Sequence, residues 1–286
     1  MKLNNGGLFR SKQIVAWIGC IGAALALGSG CASSVPGSAN TLNSLSGKQI
    51  KVSITFRHPV NPNYHYFFLI NNTGSTSGAW PQPVGTPVSG QGYGNGFATG
   101  SDGKSGGFTD FVLYSNNQVY GGQPSGNFAL YHVANGTNAN NSQNFNPNGV
   151  PLNSSVSADG ATLTFVLDLA QLYPSPISQS TAFNLAQNLR WIQVNCIATN
   201  VVPVEGQTSI AKAFDSFGDD SSGVGGYLLM DLKTQSVYAN NDGTAATFTC
   251  SEPANDDIFI SPAGSTNQDP SLDIIDWNIQ IVNTAS

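Results

Sequence analysis

The sequence predicts an all-β protein in which two antiparallel sheets pack face to face. Three observations carry this. Segment after segment alternates apolar and polar residues with a period of two, the pattern of strands with one buried face. Clusters of Gly, Pro and Asn, which supply turn geometry, separate those segments. Helical periodicity is scarce, and nine strand segments in the last 240 residues need two sheets to bury their apolar faces.

Taken in order, Lys51 to Arg57 sets Val52, Ile54 and Phe56 on one face and charged or hydroxyl side chains on the other. Tyr64 to Ile70 is apolar on both faces, so it predicts a strand covered on both sides. Phe108 to Tyr114 and Asn127 to Val133 read as strands, and in Thr162 to Asp168 the apolar face is Leu163, Phe165 and Leu167. Asp168 to Leu172 predicts one helical turn before the breakers Pro174 and Pro176, and Thr181 to Leu189 a short helix capped by Thr181 or Asn184. Trp191 to Ala198, Tyr227 to Leu232 and Ala246 to Cys250 are the next strands. Leu272 to Val282, with Trp277, Ile279 and Ile281 on one face, closes the chain. The expected architecture is a jelly-roll or immunoglobulin-like sandwich with minor short helices. The glycine-rich stretch from Thr73 to Gly107 is either a set of excursions over the sandwich edge or a functional loop.

The N-terminus carries the address. Lys2, Arg10 and Lys12 precede an apolar run from Ile14 to Leu27, followed by Gly28-Ser29-Gly30-Cys31. A basic region, a short apolar region and small residues before a cut make a secretory signal peptide. The apolar run is shorter than the roughly 20 residues of a membrane span. A cysteine directly after the cut resembles the lipobox of bacterial lipoproteins, with Gly30 in its usual place and Leu27 one position further out than the usual leucine. That resemblance implies diacylation of Cys31 and anchoring in a bilayer, at the bacterial outer membrane or cell surface. The expected organisation is a signal over residues 1–30, a lipidated cysteine and flexible Ser/Gly/Ala tether over 31–46, and one β-sandwich domain over 47–286.

Charge excludes one class of partner. All sixteen acidic residues follow Cys31 but only seven of the ten basic ones do, so the processed chain has a net charge of −9. Nucleic acid and anionic headgroups need clustered Lys and Arg, and no cluster exists. A hydrophobic content of 40% with 15 Phe argues against disorder.

Catalytic motifs are absent. Ala98 to Ser105 ends like a phosphate-binding loop but begins with Ala98 where glycine is required, and a strand rather than a helix follows it. Gly74 to Gly78 has Thr76 where a nucleophile elbow needs serine. His58, His65 and His132 read as turn or strand residues. The protein is therefore expected to be no enzyme and to require no cofactor. Calcium is the one ion with a candidate site: in Asp215 to Gly226, the carboxylates of Asp215, Asp219 and Asp220 offer hard oxygens and the glycines let carbonyls turn inward.

Cys196 and Cys250 lie on the apolar side of strand-like segments. In an oxidising compartment such a pair predicts a disulfide, with two buried free thiols as the alternative. For ligands, Trp80, Tyr93, Phe97 and Tyr120 stand in stretches rich in Gly, Asn and Gln, where flat rings stack on sugar faces and amides bond hydroxyls. The alternative is that these rings fold back as lids on the core.

The layout resembles the bacterial extracytoplasmic β-sandwiches related to the DOMON and family 9 carbohydrate-binding modules. The resemblance rests on the strand ending Phe56-Arg57-His58-Pro59, the aromatic strand Tyr64 to Ile70 with its glycine-rich sequel, the strand-plus-turn Thr164 to Leu172, and the closing Leu272 to Val282. It implies binding of a sugar, or of haem through Met230 with His65 or His132, although core packing explains Met230 better. The expected function is a lipid-anchored module that binds a glycan or small polar ligand. The competing expectation is a structural or adhesive surface lipoprotein that contacts other proteins.

Overall fold

The computed structural model describes residues 47–84, 95–102, 106–116, 127–134, 145–203, 211–219, 224–260 and 269–283. All belong to one compact unit, Val35–Ser286. The expected signal, Cys31 and tether, together with Tyr93, Tyr120 and Asp220, lie outside the described residues.

The first strands are β1 (Lys48–Phe56), β2 (His65–Asn71), β3 (Pro81–Pro83), β4 (Ala98–Gly100), β5 (Asp110–Tyr114), β6 (Phe128–Val133), β7 (Phe145–Pro147), β8 (Asn153–Val156) and β9 (Thr162–Asp168). After a 3₁₀ turn (Leu169–Leu172) and helix α1 (Gln179–Asn188) come β10 (Trp191–Thr199), β11 (Lys212–Ser216), β12 (Gly218–Asp219), β13 (Val224–Gly225), β14 (Leu228–Asp231) and β15 (Val237–Ala239). Helix α2 (Ala245–Phe248), β16 (Ile258–Ile260) and β17 (Ile274–Asn283) complete the order.

Two antiparallel sheets pack against each other as an all-β sandwich. The smaller runs β15-β17-β1-β9-β8 and the larger β16-β11-β10-β2-β5-β6-β7. The second neighbour of β10 is divided: β2 lines one edge, while β14 pairs with Trp191 to Val194 and β11 with Ile197 to Thr199 along the other. The short hairpin β12–β13 follows β11 directly.

Alternation explains the core. Ile50, Val52, Ile54 and Phe56 of β1 meet Tyr66, Phe68 and Ile70 of β2 and Val194, Cys196 and Ala198 of β10 between the sheets. Phe68 touches Phe165 across that space edge-on, with ring centroids 5.4 Å apart. All seven residues of β2 are buried, because its other face, Phe67 and Leu69, lies under a second apolar layer with Phe97, Phe108, Phe111, Tyr131 and Phe145. The middle of the larger sheet is therefore covered on both faces.

Local chemistry ends the helices where the sequence says it should, with small shifts. Asp168 accepts from Ala170 N and Gln171 reaches back to Asp168 N, a capping box on the 3₁₀ turn. Ser178, rather than Thr181 or Asn184, caps α1. Lys48 Nζ donates to the carbonyls of Gln187 and Leu189 at 3.1 and 3.0 Å, satisfying acceptors that the helix end leaves open. One expected strand is corrected: Ala246 to Cys250 begins as the helical turn α2, because the Thr244 side chain accepts from Thr247 N and caps it.

Candidate functional site

The aromatic residues expected to face a ligand have different fates. Trp80 precedes β3 and is half-buried, and its ring stacks on the half-buried Tyr227 at 4.5 Å with 15° between planes. Its backbone is fixed from both sides: Trp80 N donates to Ser101 Oγ at 3.2 Å, and Ser101 N to Trp80 O at 3.0 Å. Gly107 also packs there with φ +74°, and a Cβ on it would stand 2.5 Å from the Trp80 carbonyl oxygen. Beneath this segment lies a row of buried amides. Asn71 Nδ2 donates to Ala79 O and Gln193 Oε1, Asn195 Nδ2 donates to Pro81 O, and Gln193 Nε2 is buried without a hydrogen-bond partner.

Phe97 corrects the expectation. It is fully buried and stacks on Phe67 at 4.0 Å with 3° between planes. The apolar outer face of β2 needs a cover, and Phe97 supplies it, so its ring faces no ligand. Met230 is likewise fully buried in the core between the sheets.

The disulfide expectation is also corrected, because Cys196 and Cys250 are both free and buried. Cys196 sits opposite Phe68 in the pairing of β10 with β2, and Cys250 follows the helical turn α2 instead of lying on a strand. Burial pushes both thiols up from the ordinary range, and the charge of Glu252 adds to this in each case. Trp277 Nε1 donates to the Cys250 carbonyl at 2.8 Å, which ties this segment to β17.

The acidic residues converge, although not as the sequence predicts. Carboxylate oxygens of Asp215, Asp256 and Asp273, all buried, lie within 4.8 Å of one another. Asp215 was expected in such a group. Of its expected partners, Asp219 lies on hairpin strand β12 and Asp220 is outside the described residues. The actual partners come from distant elements, Asp256 ahead of β16 and Asp273 ahead of β17. Asp215 Oδ1 accepts from Ser216 N at 2.9 Å and Oδ2 from Ile274 N at 2.6 Å, so one carboxylate of the larger sheet holds the start of the last strand of the smaller. Asp273 pairs with Arg57 and accepts from Asn255 N. Asp257 is buried beside them; its Oδ2 accepts from Asp269 N at 2.8 Å, and its Oδ1 has no hydrogen-bond partner. Burial pushes the Asp273 carboxyl up to about 6 against the opposing pull of Arg57, and burial also raises Asp257.

A second polar group escaped sequence reasoning. Asp110 and His132 face each other across β5 and β6, with His132 Nδ1 2.8 Å from Asp110 Oδ1. Asn72 Nδ2 donates to the other oxygen at 3.1 Å. Burial raises the Asp110 carboxyl, opposed by the His132 bond, and burial followed by the Asp110 charge pushes Tyr173 up to about 12. Asp110 thus orients the His132 imidazole, and among the described residues this carboxylate is its one side-chain partner. The period-two pattern hid it, because an Asp opposite a His inside apolar strands leaves no motif.

No helix among the described residues is long and apolar enough to cross a membrane. No family model, curated protein or solved structure matches the chain.

Proposed function

We propose that this chain is an exported, lipid-anchored, non-catalytic module that binds a glycan or other small polar ligand beside Trp80 and Tyr227. The observation that carries the reading is this stacked, half-exposed pair. Rings fixed in place and partly open to solvent offer a flat apolar surface at little entropic cost, which suits the face of a sugar. Binding is favoured over glycoside cleavage because the carboxylates that converge are buried and tied to backbone amides, whereas cleavage needs two carboxyl groups flanking an open sugar site. The anchor rests on Cys31 and the lipobox-like segment before it.

A thermal-shift screen of the full chain in detergent against a panel of oligosaccharides tests the ligand, since a ligand specific for the native state raises its melting temperature. A sugar-dependent shift that Trp80→Ala removes, while circular dichroism stays native, is the expected result. A shift unchanged in Trp80→Ala moves the site elsewhere, and no shift with any sugar removes the glycan. Cys31→Ser should transfer the protein from the membrane to the soluble fraction. The adhesive reading draws on exposed Val150 and Leu152, which lead into the edge strand β8, and it predicts concentration-dependent self-association instead.

A further inference from the structure

On the outer face of the larger sheet the aromatic layer gives way to amides. Phe67 and Leu69 of β2 and Ile197 of β10 lie under that layer, and the next residues on the same side of the two strands are Asn71, Asn195 and Gln193. They are 5, 0 and 1% exposed. Two of the three amides are committed to the segment above them. Asn71 Nδ2 donates to Ala79 O at 2.9 Å and to Gln193 Oε1 at 3.0 Å. Asn195 Nδ2 donates to Pro81 O at 3.0 Å, and its Oδ1 accepts from Phe217 N. The carbonyl between those two, Trp80 O, accepts from Ser101 N instead. Among the described residues, Gln193 Nε2 is thus left as a buried donor without an acceptor. Flipping the amide does not cure this, because Nε2 would then face the donor Asn71 Nδ2. Buried polar groups nearly always have a partner, so this one points to an acceptor that the fold does not supply.

The position of this donor matches the stacked rings. Gln193 stands opposite Leu229 in the pairing of β10 with β14, and Tyr227 lies two residues before Leu229, the spacing of one strand face. Its other neighbour, Asn71, holds the residue that precedes Trp80. The unpaired N–H therefore lies at the foot of the Trp80–Tyr227 stack. The backbone is fixed on both sides of it. Trp80 is held by Ser101, and Gly226, just before Tyr227, donates to Phe217 O and packs so closely that a Cβ would stand 2.3 Å from Thr249 O.

We propose that Gln193 selects the ligand: its Nε2 donates to the acetamido carbonyl of an N-acetylated sugar whose ring lies against Trp80 and Tyr227. The inference rests on the glycan reading and names the class of sugar. An amide whose oxygen is already taken can only donate, so it favours an acceptor, and an amide carbonyl accepts more strongly than a sugar hydroxyl. A uronate also offers acceptors, but the processed chain has a net charge of −9 and no cluster of Lys and Arg to receive an anion. Nε2 is covered in the free protein, so the stacked pair has to rock outward for the carbonyl to reach it. With the backbone held at Ser101 and Gly226, that movement is one of side chains.

The test is isothermal calorimetry of the full-length chain in detergent with chitotetraose and with cellotetraose, which share their linkage and ring faces and differ in the acetamido group. Chitotetraose should bind about tenfold more tightly, the effect of one hydrogen bond to an otherwise unpaired donor. Gln193→Met should bring chitotetraose down to the level of cellotetraose and leave cellotetraose unchanged, whereas Trp80→Ala should weaken both. A second measurement needs no variant to fold: in the wild-type chain the acetyl methyl of bound chitotetraose should show a nuclear Overhauser effect to the Gln193 side-chain amide protons. Equal affinities in the wild type, a preference kept by folded Gln193→Met, or the lack of that Overhauser effect would each overturn the role of Gln193 and leave the ring pair as a glycan site. If neither tetrasaccharide binds, the glycan reading fails and the inference fails with it.

Discussion

Strand β11 carries opposite charges into the two faces of the larger sheet, and the two faces handle them differently. Asp215 points between the sheets, where the carboxylates of Asp256 and Asp273 converge on it and Arg57 pairs with Asp273. Lys212, three residues earlier and fully buried, points the other way under the outer aromatic layer. There Nζ donates to Val84 O at 2.7 Å and Gly96 O at 2.9 Å, and it lies 5.4 Å from the centroid of the Phe214 ring. The outer face thus satisfies its charge from within, with backbone carbonyls and a ring. The inner face gathers like charges instead, with Asp215 held by the amides of Ser216 and Ile274 and Asp273 by Arg57 and the Asn255 amide.

The comparison breaks first at Phe97. If the outer layer is a second core and not a loose lid, Phe97→Ala removes the ring that stacks on Phe67 and should cost about 3–5 kcal/mol in urea unfolding. A loss below about 1 kcal/mol would mean that the outer face has no core-like packing. Trp80→Ala, at the half-exposed rim of the same face, should cost only about 1 kcal/mol, and the contrast separates packing from presentation.

Lys212 sharpens the contrast through pH. Burial lowers its amine from 10.5 to about 7, with no opposing charge to restore it. Below about 7 the lysine is protonated in both folded and unfolded chains, and the fold carries the whole desolvation penalty. Between about 7 and 10.5 the unfolded chain holds a proton that the folded chain has released, so stability rises with pH across that window. The wild-type urea midpoint should therefore increase from pH 6.5 to pH 9.5 relative to Lys212→Met, which lacks the group. Equal pH slopes in the two proteins would show that the carbonyls and ring keep Lys212 charged.

Much of the framework is legible in the sequence, and the exceptions share a cause. Thr162 to Asp168 alternates cleanly and becomes β9 with the same bounds, and the aromatic run at Tyr64 is covered on both faces as its composition implies. Strand β11 leaves no strand pattern because Lys212 and Asp215 interrupt its apolar run, and both are buried for reasons that lie elsewhere in the chain. Ala246 to Cys250 alternates like a strand, but a threonine cap two residues earlier settles it as a helical turn. Of the acidic centre, sequence spacing makes only Asp215 a candidate metal ligand. Asp256 and Asp273 join it through the pairing of β11 with β16 and of β1 with β17, contacts that no local pattern records. Phe97 reads as a loop aromatic because the apolar face it covers belongs to a strand thirty residues earlier.

The smallest effect is expected at the cysteines, and it bears on the inner face. Cys196 and Cys250 are 1 and 0% exposed in the layer between the sheets, and burial together with nearby carboxylates holds both thiols neutral. A thiol that is neither ionised nor accessible does not react, whatever the redox poise of the compartment. Reductant should therefore leave the melting temperature unchanged. In alkylation followed by peptide mapping, the Cys196 and Cys250 peptides should stay unmodified in the native protein and react fully in urea. A melting temperature lowered by reductant, or a linked Cys196–Cys250 peptide, would show that the segment after α2 can bring Cys250 to β10. A native protein alkylated at Cys196 alone would instead show that the space between the sheets opens to solvent at the middle of β10.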